Sequence, residues 1–203
     1  MSSPRTPTGG RIKGAPLRAL VAYWERVHGR AAVNRILDAS EAERVALGLD
    51  PEAPGWGLLV SSWYPCPAAG AMVERLFEGI AADRVDDEMA RAAEAIMRQT
   101  LSGVHRAVFR LVGSPELMRT RGQLFWNQQF DSGTVVIEKE GDDAQRHVYR
   151  DWPGHHPLFC RMAFHCLPPM FRAMGVADPR VERLRCAADP GSSECAAHLT
   201  WSG

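Results

Sequence analysis

The sequence predicts an α+β domain, a helix-rich N-terminal half followed by a four-stranded antiparallel sheet covered by helices. Three observations predict it. Apolar residues recur at spacings of three and four up to about residue 130, the period of helices that bury one face. Beyond Asp131-Ser132-Gly133 the period falls to two in paired segments with turn residues between them, the pattern of β-hairpins. At 203 residues and 45% hydrophobic content, one core of ordinary size accommodates both parts. Residues 1–14, rich in Ser, Pro, Thr and Gly, read as a flexible tail, and residues 15–203 as a single domain.

Pro16 opens the first helix, and Leu17, Leu20, Val21 and Trp24 form its apolar stripe up to Gly29. Ala31 to Leu37 continues the pattern, and Ser40 followed by Glu43 makes a capping box before Asp50-Pro51 closes the segment. Met72, Val73, Leu76, Phe77 and Ile80 give another stripe after Pro67. The longest helix is expected from Met89 through Ile96, Leu101 and Leu111 to Gly113, with Asp86-Asp87-Glu88 placing negative charge at its start. Ser114-Pro115-Glu116 restarts a helix through Phe125 and Trp126 to Phe130. Residues 134–140 and 145–152 flank Gly141-Asp142-Asp143 as one hairpin, and residues 180–187 and 195–201 flank Asp189-Pro190-Gly191 as a second. Between them Pro157 opens a helix that Pro168-Pro169 interrupt and Gly175 stops.

The 24 basic and 24 acidic side chains cancel, which leaves no global field for nucleic acid or an acidic membrane. The uncharged stretch 53–73 contains Pro54, Pro65 and Pro67, which argues against a membrane helix. The N-terminus lacks the apolar segment of a secretory signal, so a cytoplasmic location is expected. Five cysteines, an odd number in a chain of this size, point to reduced thiols or a metal site rather than a disulfide framework.

A resemblance rests on the C-terminal half. Phe171-Arg-Ala-Met-Gly175 ends a helix on an aromatic and a glycine, and residues 180–186 form a strand ending in Cys186. A Gly-containing turn then leads from Asp189 to Cys195, and Leu199-Thr-Trp201 ends the final strand. In these elements the chain resembles the 4-vinyl reductase domain family. From Ser62-Trp63-Tyr64-Pro65 through Ser114-Pro115-Glu116 and Trp126 to Asp151 it also resembles a bacterial family of about this length, abundant in myxobacteria and mostly of unknown function. The resemblance covers residues 15 to 201. It implies a fold shared with the TRAPP vesicle-tethering subunits, a homodimer, and a small-molecule pocket between sheet and helices. In the aromatic-sensing activators of that superfamily three Cys and one Glu bind a structural zinc, a role the resemblance implies for Cys160, Cys186 and Cys195.

The acidic position of that set is Arg183 here, with Glu182 one residue further back. On a regular strand Glu182 and Cys186 lie about 13 Å apart at about 3.3 Å per residue, too far to share a metal unless a bulge intervenes. His156, four residues before Cys160, is the candidate fourth ligand, with His165 or Cys166 open if the turn at Pro168 bends the helix. The competing reading makes Cys160 and Cys166 small buried hydrophobes, and a Cys186–Cys195 disulfide ranks below free thiols in a reducing cytosol.

Trp63, Tyr64, Phe125, Trp126 and Phe130, with His105 on the long helix, are the candidate lining of a pocket for a flat apolar ligand, against the alternative of a packed core. His105 could ligate haem, but a satisfied core or flank histidine is the preferred reading and haem is not expected. His155-His156 follow the turn Trp152-Pro153-Gly154 without a nucleophile or carboxylate partner, and read as a turn with a helix cap rather than a catalytic pair. Phosphate loops, dinucleotide fingerprints and nucleophile motifs are absent from the sequence. The expected function is a non-enzymatic small-molecule-binding or sensory module, a homodimer acting on an unidentified protein partner, with zinc the one cofactor left open. The alternative is a scaffolding dimer without ligand and, after it, a haem- or zinc-binding sensor.

Overall fold

The computed structural model describes residues 9–38, 41–101, 107, 109, 110 and 113–202. Strand β1 (Arg11–Lys13), counted with the tail in the sequence reading, pairs antiparallel with β2 (Trp63–Pro65). Helix α1 (Gly14–His28) follows directly and buries Leu17, Leu20, Val21 and Trp24, the expected stripe. It packs on α2 (Arg30–Leu37), which with α3 (Glu41–Leu47) packs against α4 (Cys66–Phe77).

Helix α5 (Val85–Thr100) runs beside α1 and buries Met89, Ala92, Ala93 and Ile96. It ends short of the expected Gly113, because Leu101 leaves the helical region at φ −100° and ψ 45°. His105 and Ser40 of the expected capping box lie outside the described residues. Helix α6 (Pro115–Asn127) begins as the sequence requires, with Pro115 in its first turn and Ser114 Oγ accepting the Leu117 N–H at 3.0 Å.

The sheet has the order β3 (Thr134–Lys139), β4 (Ala144–Arg150), β6 (Glu194–Ser202), β5 (Ala177–Arg185), with every neighbouring pair antiparallel. The α+β class is therefore as the sequence predicts. Helix α6 lies on β3 at Gly122, where an added Cβ would come 2.5 Å from Ile137 Cδ1, so the close approach depends on that glycine. The chain passes from β4 to α7 (Pro157–His165) and α8 (Leu167–Ala173), two helices split where Pro168 and Pro169 withdraw their N–H groups. Strand β5 shifts register between Arg183 and Arg185, which pair with Ala197 and Ala196, so Leu184 is bulged out.

Where the covered face of the sheet meets α6 and α7, aromatic rings fill the core. Trp126 stacks on Phe130 at 4.4 Å and on Tyr149 at 4.7 Å, and meets Trp152 edge-on at 4.6 Å. Tyr149 in turn stacks on Phe164 at 5.1 Å, and Trp126 Nε1 donates to the Ser132 carbonyl at 2.8 Å.

Candidate metal centre

Four metal-ligating side chains converge at one end of this sheet. Cys195 is the second residue of β6, opposite Tyr149 of β4, and Cys186 follows the end of β5, so the antiparallel register brings both to one corner of the hairpin. Cys160 comes from the first turns of α7, and His155 from the turn before it, which the His155 N–H closes on the Trp152 carbonyl at 3.0 Å. The Trp152 indole stands edge-on to the imidazole at 5.4 Å and limits its rotation.

The donor atoms of His155, Cys160, Cys186 and Cys195 all lie within 4.8 Å of one another. The Cys186 and Cys195 sulfurs are 3.9 Å apart, and Cys186 Sγ is 3.3 Å from His155 Nε2. A tetrahedral zinc with Zn–S near 2.3 Å and Zn–N near 2.1 Å needs sulfurs about 3.8 Å apart and sulfur–nitrogen separations of about 3.6 Å. Backbone groups complete the surroundings. The Ala187 N–H points at Cys195 Sγ at 3.3 Å, and the Cys186 N–H donates to Asp189 Oδ2 at 2.6 Å, which fixes the turn. All three thiols are buried and all five cysteines are free.

The three thiols perturb one another. Cys195 is pulled below the ordinary thiol value, first by the Cys160 S–H donating to it and then by His155 and the Ala187 N–H, against the opposing effect of burial. Cys160 is pushed up by the same bond and by burial, and Cys186 mainly by burial. A soft divalent cation needs all three as thiolates, so its binding would release protons from the cluster.

His156, the fourth ligand expected from the sequence, lies outside the group. Its Nδ1 accepts the Leu158 N–H at 3.3 Å as the cap of α7, and its Nε2 meets Glu74 Oε1 of α4 at 3.1 Å. Its ring packs so closely on α4 that a Cβ at Gly70 would come within 2.6 Å of it. Glu182 faces His198 across the sheet, and His165 meets Asp86 at 3.2 Å, so neither joins the cluster.

The aromatic candidates separate. Trp126 and Phe130 stand together in the core stack, with Tyr149 and Trp152 that the sequence reading did not single out. Phe125 instead meets Phe109 edge-on at 6.1 Å. Tyr64 is buried beside Ile12 and its hydroxyl accepts the Leu59 N–H at 2.8 Å, while Lys13 Nζ lies 4.1 Å from the Trp63 ring centre.

No family model matches the chain, and the search of curated proteins finds no similar sequence. Solved structures do match along nearly its whole length. An Fe(II) unliganded H-NOX protein from K. algicida superposes with a TM-score of 0.61 at 14% identity, over 95% of this chain and 97% of that one. An oxygen-binding H-NOX domain related to soluble guanylate cyclases, in its oxygen complex, gives 0.62 at 10% identity, over 95% and 96%. The fold is that of the H-NOX domains. This overturns the resemblance to the 4-vinyl reductase and TRAPP-like superfamily. That reading rested on a hairpin with two cysteines, a local arrangement, whereas the H-NOX match includes the helical half that the hairpin does not specify.

A further match was determined to probe the function of haem distortion in the H-NOX family, with a TM-score of 0.58 at 9% identity over 95% of this chain and 96% of that one. The likeness to such a structure runs against the expectation that haem is absent. A haem needs a ligand imidazole and a flat apolar slot. His147 offers the donor type, since burial pushes its pKa down to about 3 and its Nε2 has no hydrogen-bond partner. Space is the obstacle, because the rings of Trp126, Phe130, Tyr149 and Trp152 occupy the covered face of the sheet in mutual contact. The described residues, as packed, do not fit the group.

Proposed function

We propose that the chain is a non-enzymatic sensory module on the H-NOX fold, with a structural zinc held by Cys160, Cys186, Cys195 and His155. One observation carries the metal assignment: four soft donors from three separate segments lie within 4.8 Å of one another. Four protein ligands close the coordination shell and leave no position for substrate, so the ion serves architecture rather than catalysis. It ties α7 and the loop before it to the β5–β6 hairpin. The buried free thiols support a reducing compartment, and no described helix is long and apolar enough to cross a membrane. Output is expected through a homodimer or a protein partner.

Cobalt substitution tests the centre. Wild-type protein loaded with Co2+ should show the intense visible bands of tetrahedral thiolate coordination, which Cys160→Ser and His155→Ala weaken and His156→Ala leaves intact. Octahedral, pale-pink cobalt in the wild type would remove the proposal.

The likeness to H-NOX structures favours haem over an unspecified apolar ligand and makes a haem-bound form the second reading, one that would require the stacked rings of Trp126, Phe130, Tyr149 and Trp152 to repack. Haemin titration decides it. A stoichiometric Soret band that His105→Ala or His147→Leu abolishes would support haem, and a spectrum of free haemin would exclude it.

A further inference from the structure

The groove between α1, α5 and α8 collects positive charge in a chain whose formal net charge is zero. Its volume is about 470 Å3, and Arg26 of α1, Arg91 and Arg98 of α5 and Arg172 of α8 line it together with Glu94. That volume falls within the range of small-molecule sites.

The arginines are not equivalent. Arg91 is held in place from below: its Nε and Nη2 both donate to Glu88 Oε2, at 3.1 and 2.6 Å, while the Tyr23 hydroxyl donates to the other oxygen of this buried carboxylate at 2.5 Å. Glu88 is thus committed to orienting Arg91 and presents no free face to the groove. Glu94 is the groove's own counter-ion, bonded to Arg172 and 3.9 Å from Arg98. Arg26 lies over the Tyr23 ring at 5.6 Å from its centre. Four guanidinium groups against two carboxylates leave an excess of two positive charges around one concave surface. Guanidinium groups on three different helices can each offer paired N–H donors to a different oxyanion.

We infer that this groove binds a small molecule carrying adjacent phosphates, either free polyphosphate or the phosphate chain of a nucleotide. Glu94 occupies two of the four arginines in the unliganded protein, and the incoming phosphates displace it. The site is separate from the cysteine cluster and does not depend on metal there.

The test is calorimetric titration of the folded full chain with sodium pyrophosphate and with ATP, at ionic strength matched by NaCl. Both should bind with one-to-one stoichiometry. Arg98→Ala and Arg172→Ala, each on an exposed side chain, should weaken binding about tenfold, the weight of one charge-assisted hydrogen bond. Glu94→Gln, which removes the internal competitor without removing a donor, should tighten it. Equal affinity for the two probes identifies free polyphosphate chemistry, and tighter binding of ATP identifies a nucleotide. Heat that vanishes at matched ionic strength, or affinities unchanged in all three variants, would overturn the inference.

Discussion

His147 sits where it cannot afford a charge. It is 1% exposed on the covered face of β4, and burial alone lowers its pKa from 6.5 to about 3. A base whose folded pKa lies below its unfolded one stabilises the fold fully above the unfolded value, and that contribution is lost as pH falls toward the folded value. Urea midpoints measured from pH 7 to pH 4 should therefore fall more steeply for wild type than for His147→Leu. Parallel curves would contradict the placement. The Tyr23–Glu88–Arg91 group behaves in a related way. Burial would raise the Glu88 carboxyl, but the bonds from Tyr23 and Arg91 outweigh it and hold the pKa below the ordinary range. Stability from this group is present above the ordinary carboxylate pKa and is lost on acidification through the lower folded one. Tyr23→Phe, which removes one donor to that carboxylate, should cost about 1.5 to 3 kcal/mol in urea unfolding at neutral pH, and no loss would contradict the bond. At this scale the sequence was only partly legible. Cys160, Cys186 and Cys195 were singled out through a resemblance that the fold overturns, yet these three thiols do come together, and the histidine beside them is His155 rather than the expected His156. A usable signal was present: Pro157 at a helix start makes His156 the cap, which commits its Nδ1 to Leu158 and leaves His155 free. Nothing in the sequence could pair Glu88 with Tyr23, which lies 65 positions away.

At the scale of elements, local chemistry carried most of the information. Both hairpins, the Ser114-Pro115 helix start and the break at Pro168-Pro169 follow from short-range rules and stand where the sequence placed them. The long helix was over-extended, because apolar spacing continued past Leu101 while the backbone left the helix there. The bulge in β5 was equally hidden, since no turn residue marks Leu184. Trp126 decides between core and pocket. It contacts Phe130, Tyr149 and Trp152 through its ring and Ser132 through its N–H, so it joins α6 to the sheet and to the loop before β3. Trp126→Ala should cost about 3 to 5 kcal/mol by denaturant unfolding, as for other buried aromatics. A stable variant that had only lost affinity for an apolar ligand would restore the pocket reading.

For the whole molecule, the class and the four-stranded antiparallel sheet were accessible from periodicity, whereas the strand order and the likeness of fold to the H-NOX domains were not, because at 9–14% identity little sequence pattern is shared. A metal at the Cys160–Cys186–Cys195–His155 corner would connect the last hairpin to the helices that follow β4. Binding to the native state only would then stabilise the fold by RT ln(1 + [L]/Kd), about 4 kcal/mol at a thousandfold excess of free ion over Kd. Native mass spectrometry combined with elemental analysis of the purified chain tests this most directly. One zinc per chain in the wild type, absent from Cys186→Ser together with a lower melting temperature, is the predicted result. A wild-type chain of apoprotein mass that melts at the same temperature with and without added zinc would contradict it.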